Sequence, residues 1–415
     1  MKKIYSKIQM IDVFLIISLG ITGLCFLLNI RNHGGYFLCS VMDAESSFSD
    51  FFYHIAGSSD PAHMYMTDSR FCFPPLAYCM YWLLWRVHPY EDPESIMNWL
   101  NFKNADNAML VLIIYDILFA FLLVYCITEY YKKTGIKYML LLPAAIIISY
   151  PFFCTSLQRG NSVALVAVLI ALAWLWMDSE SAVKQEAAMI LIAVAAAFKF
   201  YPAVMGLMYI KRKDWKRVVR LILYGILFIF VPFLFFGGFQ GLSALISNLT
   251  SLSMIKTTQY GTIRGMTLYL LEKYGQMELA AALPIGVCME TAFLGCSVGC
   301  FFLSRRKWQS ILFISGILVS YIASGYIYNT VYYLPVLLMF LREHQEYVDT
   351  YSRREKYWKG INILILGLIF CIPCFWIYVF HGQLNEGTAV MAYLLLLLNM
   401  ADVIYSVVRQ KRIAL

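Results

Sequence analysis

Three basic residues stand beside apolar runs in contexts that an ordinary surface cation does not need. They are Arg159 in SLQRGNSVAL, Lys199 in FKFYP and Arg264 in YGTIRGMTLYLL. A charge at the edge of hydrocarbon is costly, so each is a candidate functional group. Gathered near one interface, the three suit a phosphate whose lipid tail stays in the bilayer. The plain alternative for any one of them is a side chain that snorkels to lipid headgroups. A second group is acidic. SVMDAESSFSDFFYHIAGSSDPAHMY carries Asp43, Glu45, Asp50 and Asp60, with Asp68 just beyond. Asp50 leads the aromatic run Phe51-Phe52-Tyr53-His54, which could lie as a short helix on the membrane surface. A carboxylate at the mouth of a membrane cavity can take a proton from a hydroxyl. Asp60, Asp68 and the acids of YEDPE read as solvated loop charges. Asp50 and Asp43 do not, and the sequence barely separates the two.

The elements that must hold these groups follow from composition. The chain has 415 residues, 61% hydrophobic and 14% charged. That balance excludes a soluble domain of this size and indicates an all-α polytopic membrane protein, read as one domain over 1–415. The net charge of +8 is informative through its placement. Basic clusters recur at Lys2, Lys3 and Lys7; Lys132, Lys133 and Lys137; Lys211 through Arg220; Arg305, Arg306 and Lys307; Arg342 through Lys359; and Arg409, Lys411 and Arg412. They fall in short loops next to apolar spans, which assigns them to the cytoplasmic side. Their division among loops argues against nucleic acid as a partner.

Apolar runs predict spans at Met10–Ile30, Ala108–Thr128, Tyr138–Phe153, Ser162–Met177, Val218–Phe236, Leu279–Leu303, Ile311–Tyr328, Thr330–Leu341, Ile361–Phe380 and Thr388–Val408. The run from Ala187 to Ile210 decides the topology. As one helix it would place KRKDWKRVVR outside and reverse every later loop. A break near Lys199, favoured by Pro202, gives two short helices, Ala188–Phe198 and Pro202–Ile210, with the tip outward. Backbone that is not helical at membrane depth must be buried in protein or line a cavity, so Lys199 is predicted in one. The sum is about 12 membrane segments, both termini cytoplasmic, an uncleaved first helix, and external loops at about 31–105 and 237–277. FCFPPLAYCMYWLLWRV reads as an interfacial amphipathic helix. No internal repeat is evident.

The 11 cysteines are scattered, mostly in apolar spans; Cys39 and Cys72 share one loop and could pair. No metal spacing stands out, and CIPC at Cys371 lies in an apolar run. No cofactor is expected. A divalent metal is compatible with Asp43, Glu45, Asp50 and His54, but their spacing does not demand one. A transporter or lipid-linked-glycan flippase or polymerase is the rival class, with Asp116, Glu290 and Asp402 as relay groups. It accounts poorly for a long acidic and aromatic first loop.

The order DFFYH, FPPLAY, RGN opening a helix, KFYP before KRKDW, and YYLPVLL late in the chain resembles the GT-C superfamily of membrane glycosyltransferases. Within it, the chain is similar to bacterial glycosyltransferase family 87, which includes polyprenyl-phosphate-mannose-dependent mannosyltransferases. The likeness covers roughly Met10 to Leu341. It implies transfer of a sugar, with inversion, from a polyprenyl-phosphate carrier to a lipid, glycan or protein acceptor at the outer face of the bilayer. It implies a loop carboxylate as general base, Asp50 or else Asp43. Lys199, Arg159 and Arg264 would hold the carrier phosphate. His54, Tyr53, Asn161, Tyr201, Tyr328 and Asn329 are the candidates for contacting substrate. Two departures stand out. QRGN replaces a Gly-Gln-x-Asn pattern, and Tyr328-Asn329 stand where the family carries a histidine near YYLP.

Overall fold

The computed structural model describes residues 8–31, 48–87, 108–131, 140–157, 159–255, 262–320, 327–371 and 384–414. These are helical throughout, apart from turns and one isolated antiparallel bridge between Gln9 and Tyr347. Asp43, Glu45, Cys39 and the basic stretches at 1–7 and 132–137 lie outside the described residues.

The first long helix, α1 (Met10–Arg31), and helix α2 (Ser49–Gly57) precede α3 (Pro75–Val87) and α4 (Ala108–Tyr131). Next come α5 (Val163–Trp176), α6 (Ala182–Phe198) and α7 (Trp215–Phe230). The chain continues through α8 (Gly238–Ile255), α9 (Ile263–Lys273) and α10 (Leu279–Leu303). It closes with α11 (Lys307–Ser320), α12 (Leu334–Glu343), α13 (Arg353–Ile369) and α14 (Leu384–Ala414). Among the described residues, four stretches are long and apolar enough to cross a membrane: Ala108–Tyr131, Trp215–Leu234, Leu279–Leu303 and Gly387–Gln410.

The core forms around α5. Its sequence VALVAVLIALAWLW is apolar on every face, the pattern of a helix enclosed by protein, and nearly all of its side chains are buried. Helices α4, α6 and α12 pack against it. Helix α7 is the opposite case: none of its residues is buried and its apolar face is outward, as suits contact with lipid.

The run around Lys199 is broken, as its proline predicts. Helix α6 ends at Phe198, Lys199 is extended (φ −148°, ψ 124°), and a tight 3-10 segment Tyr201–Gly206 leads into a last helical turn at Leu207–Lys211. The outgoing leg rises roughly 25 Å and the return leg about 20 Å. The hairpin closes at its base, where Arg212 pairs with Asp178, just before α6 begins. Asp178 also pairs with Lys307. Burial raises the Asp178 carboxyl, but Lys307 and Arg212 more than offset this and hold it below the usual carboxylate range.

The basic loops meet at that same end. Lys211 Nζ donates to the carbonyl of Ser304 at 2.7 Å and to Ser310 Oγ at 2.8 Å, tying KRKDW to the SRRKW loop. Arg220 pairs with Glu186 at 2.6 Å, Glu343 accepts from the Trp308 amide at 2.9 Å, and Arg306 reaches Asp402 at 3.2 Å. Unlike the single span expected over Tyr138–Phe153, the chain forms a short helix Leu141–Ile147 and then a wide π-type turn Tyr150–Leu157. Pro151 has no amide hydrogen to continue the helix, and Ser149 Oγ donates back to the Ile146 carbonyl at 2.6 Å. Over Ile361–Phe380 the helix stops at Ile369, and 372–383 lie outside the described residues.

A buried amide network joins the last helices to the bundle. Asn399 Nδ2 donates to Asn362 Oδ1 at 2.8 Å, and Gln309 Nε2 donates to Asn399 Oδ1 at 3.1 Å and to Asp402 Oδ2 at 2.9 Å. Replacing Asn399 with Leu keeps the volume but leaves Asn362 Oδ1 without this donor and Gln309 with Asp402 alone. The expected cost is about 1–2 kcal/mol, read as a lower thermal midpoint in detergent. An unchanged midpoint would show that the network carries no stabilising energy between these helices.

Candidate active site

At the end of the bundle opposite the basic loops, four segments converge: the start of α2, the loop before α5, the break after α6, and the turn before α3. Helix α2 forms as expected for the DFFYH run, but Phe51, Phe52, His54 and Ile55 are buried in protein, so it is not simply laid on the bilayer surface. The QRGN step locks its start. The Phe51 amide donates to the Arg159 carbonyl at 3.0 Å. Gly160 has φ +63°, and a Cβ there would stand 2.2 Å from Phe51 Cβ, so both conformation and contact require glycine.

Asn161 does two things. Its Oδ1 accepts from the Val163 amide at 3.1 Å, helping to start α5. That fixes the orientation of the amide, so Nδ2 faces α2 and donates to Asp50 Oδ2 at 2.7 Å. Arg159 lies 3.9 Å from Asp50 Oδ1, close enough for charge attraction and too far for a hydrogen bond. Asp50 thus has one oxygen oriented by an amide and the other beside a guanidinium.

Lys199 is 5% exposed, and its ammonium lies 3.2 Å from the centre of the Phe73 ring. Aromatic faces attract cations, but far less than an anion does. Among the described residues no acceptor meets this ammonium within hydrogen-bond distance. It feels the Asp50 charge without touching it. His54, one turn after Asp50 on α2, packs against Phe73 at 4.5 Å and against Tyr81 at 5.3 Å between ring centres. Burial, with the charges of Lys199 and Arg70, holds the imidazole well below its ordinary value and therefore neutral. Tyr53 stacks on Phe71 at 4.9 Å, and the Arg70 guanidinium lies 4.5 Å from its ring centre.

Two residues past Lys199, the Tyr201 hydroxyl accepts from the Tyr332 hydroxyl at 3.1 Å. Tyr332 belongs to the 3-10 turn Ile327–Tyr333. In such a turn residues three apart are eclipsed, so Asn329 shares its face. Asn329 is 1% exposed, and among the described residues neither Oδ1 nor Nδ2 has a partner. Tyr328 lies in the same turn, its side chain outside the description. Asp43 is also outside the described residues. Arg264 is elsewhere engaged: it starts α9, which packs on α10, and its Nε donates to Glu290 Oε2 at 2.8 Å. Of the relay candidates, Glu290 and Asp402 are in ion pairs, and Asp116 Oδ1 is buried without a partner among the described residues.

Among the described residues no three His, Cys, Asp or Glu side chains form a metal cluster; Asp43 and Glu45 are not among them. Sequence reasoning missed Phe73 and Tyr332. Both stand inside the quoted FPPLAY and YYLP steps, where aromatic enrichment was a usable signal.

The constellation is one carboxyl group with a fixed geometry, a buried cation that meets no anion among the described residues, and a buried amide, Asn329, in the same turn as Tyr332. It can activate a hydroxyl and neutralise a leaving phosphate in one place. No curated protein and no solved structure matches the chain. The family model of glycosyltransferase family 87 matches residues 95–325, more than half of the sequence and a stretch that contains Arg159, Asn161, Lys199 and Tyr201. The chain is therefore a membrane glycosyltransferase and belongs to glycosyltransferase family 87.

Proposed function

We propose that this enzyme transfers a hexose from a polyprenyl-phosphate-sugar donor to a lipid, glycan or protein acceptor on the extracytoplasmic side of the membrane. Lys199 carries the reading: a buried ammonium that, among the described residues, has no anionic partner in contact, at the same end of the bundle as an oriented carboxyl group. A polyprenyl phosphate needs positive charge to leave and little help from a proton donor. The acceptor hydroxyl needs a base.

In the proposed step the carrier phosphate sits against Lys199 and Arg159. The acceptor oxygen attacks the anomeric carbon from the face opposite the phosphate, and configuration inverts. Its proton passes to Asp50 Oδ1, the oxygen that Asn161 leaves open. The bond from the anomeric carbon to the phosphate oxygen breaks, and polyprenyl phosphate leaves with its charge neutralised by Lys199. Asn329 has both a donor and an acceptor to offer, which suits a sugar group that can also do both, such as a hydroxyl. Tyr53, His54 and Tyr201 are the proposed substrate contacts among the described side chains, and Tyr328 is a further candidate from the sequence. Arg264 contributes less than Lys199, because Glu290 already neutralises it. Asp43 is the second candidate for the base.

Sidedness rests on the positive-inside rule applied to the end that gathers Lys211, Arg212, Arg306 and Lys307. A cysteine introduced at Lys213 should resist an impermeant thiol reagent in intact cells and react in inverted vesicles. Labelling from outside would overturn the orientation.

The roles separate in kinetics. Lys199→Ala loses a charge-assisted contact, so the donor KM should rise about tenfold to a hundredfold. Asp50→Asn keeps shape and the Asn161 neighbour but accepts no proton, so kcat should fall by roughly 10²–10⁴ with donor KM little changed. Asp43→Asn is the paired control. If both Asn variants turn over like the wild type, neither Asp50 nor Asp43 is the base.

A further inference from the structure

Helix α8 lies in the second loop region, remote in sequence from every residue of the site, yet it holds the segment that supports Lys199. Asn248 is 7% exposed. Its Nδ2 donates to the carbonyls of Tyr65 and Phe71, both at 3.0 Å, with the Asp68 carbonyl at 3.4 Å. Two amide hydrogens thus serve three backbone acceptors of one loop. Tyr65 in turn donates from its hydroxyl to the Phe73 carbonyl at 2.8 Å. The Phe73 ring stacks on Tyr78 at 5.9 Å and carries the Lys199 ammonium on its face.

We propose that Asn248 is a positioning residue for the carrier-phosphate site: it fixes the 65–73 loop, and through Phe73 it sets where the Lys199 ammonium stands. The inference rests on the reading of Lys199 as the phosphate-binding cation. The buried carbonyls of Tyr65 and Phe71 need a donor, since an unpaired buried polar group costs free energy that loop movement would relieve. Releasing them lets Phe73 slip from beneath the ammonium. The geometry also excludes another use of this position. Asn248-Leu249-Thr250 has the spacing of a glycosylation acceptor, but the nitrogen that a glycan would need is buried and hydrogen-bonded.

The test uses the full-length protein and polyprenyl phosphate alone as the ligand, with neutral polyprenol as a control that reports the folded lipid site. Asn248→Asp keeps the shape but presents a carboxylate to three carbonyls. It should weaken polyprenyl phosphate binding about tenfold and leave polyprenol binding unchanged. Phe73→Leu, which keeps apolar bulk and removes the ring face, should do the same, and serves if Asn248→Asp does not fold. Combining Asn248→Asp with Lys199→Ala should weaken binding no further than Lys199→Ala alone, because both act on one contact. Losses that multiply, wild-type affinity in Asn248→Asp or Phe73→Leu, or equal loss of polyprenol would each overturn the inference. If Lys199→Ala itself binds polyprenyl phosphate normally, the reading of the cation fails, and that outcome is distinct from failure of the Asn248 route alone.

Discussion

A helix that cannot continue past Phe198 organises the rest of this molecule. Backbone that leaves helical geometry at membrane depth must find protein around it. Here the extended Lys199 finds Phe73, and the 3-10 turn after it finds Tyr332. The break returns the chain to the end where it started, so Arg212 meets Asp178 and Lys211 meets the SRRKW loop. Without it, the basic loops could not share one end. With it, a buried cation sits at the opposite end, with no anion in contact among the described residues. Topology and chemistry have the same cause.

The site is then assembled by contacts between segments far apart in sequence. Gly160 lets Phe51 approach, Asn161 turns Asp50, and Phe73 holds Lys199, so the carboxylate and the ammonium are fixed by separate neighbours. That separation suits an enzyme with two charged tasks, because an acid paired directly with a lysine would neutralise both. Arg264 with Glu290 shows the alternative: an ion pair that satisfies itself and presents little net charge.

Much of this was legible in the sequence because membrane segments obey few rules. Length, hydropathy and the placement of lysine and arginine gave α1, α4, α5, α10 and α14 nearly in place, and Pro202 gave the hairpin. Asp50, Arg159, Asn161 and Lys199 are singled out by the resemblance and by sidedness, and the structure sets Asn161 and Arg159 beside Asp50. Other features had no local signature. The split at Ser149–Pro151 depends on a side chain returning to its own backbone. The pairing of Arg264 with Glu290 crosses from a loop helix to a span. Among the described residues the Asn248 amide donates to carbonyls, which any sequence supplies. Sequence patterns report burial and turn chemistry, whereas partner choice among buried polar groups is set by tertiary placement.

The most direct measurement of the central claim is a donor panel with the purified enzyme. Polyprenyl-phosphate-linked hexoses and the matching nucleotide sugars would each be incubated with the protein and an acceptor extract, and the leaving group followed. A cation at Lys199 that serves a lipid phosphate predicts release of polyprenyl phosphate from at least one lipid-linked donor, with loss of that release in Asp50→Asn. Release of a nucleoside diphosphate from a nucleotide sugar, with every lipid-linked donor inert, would contradict the account.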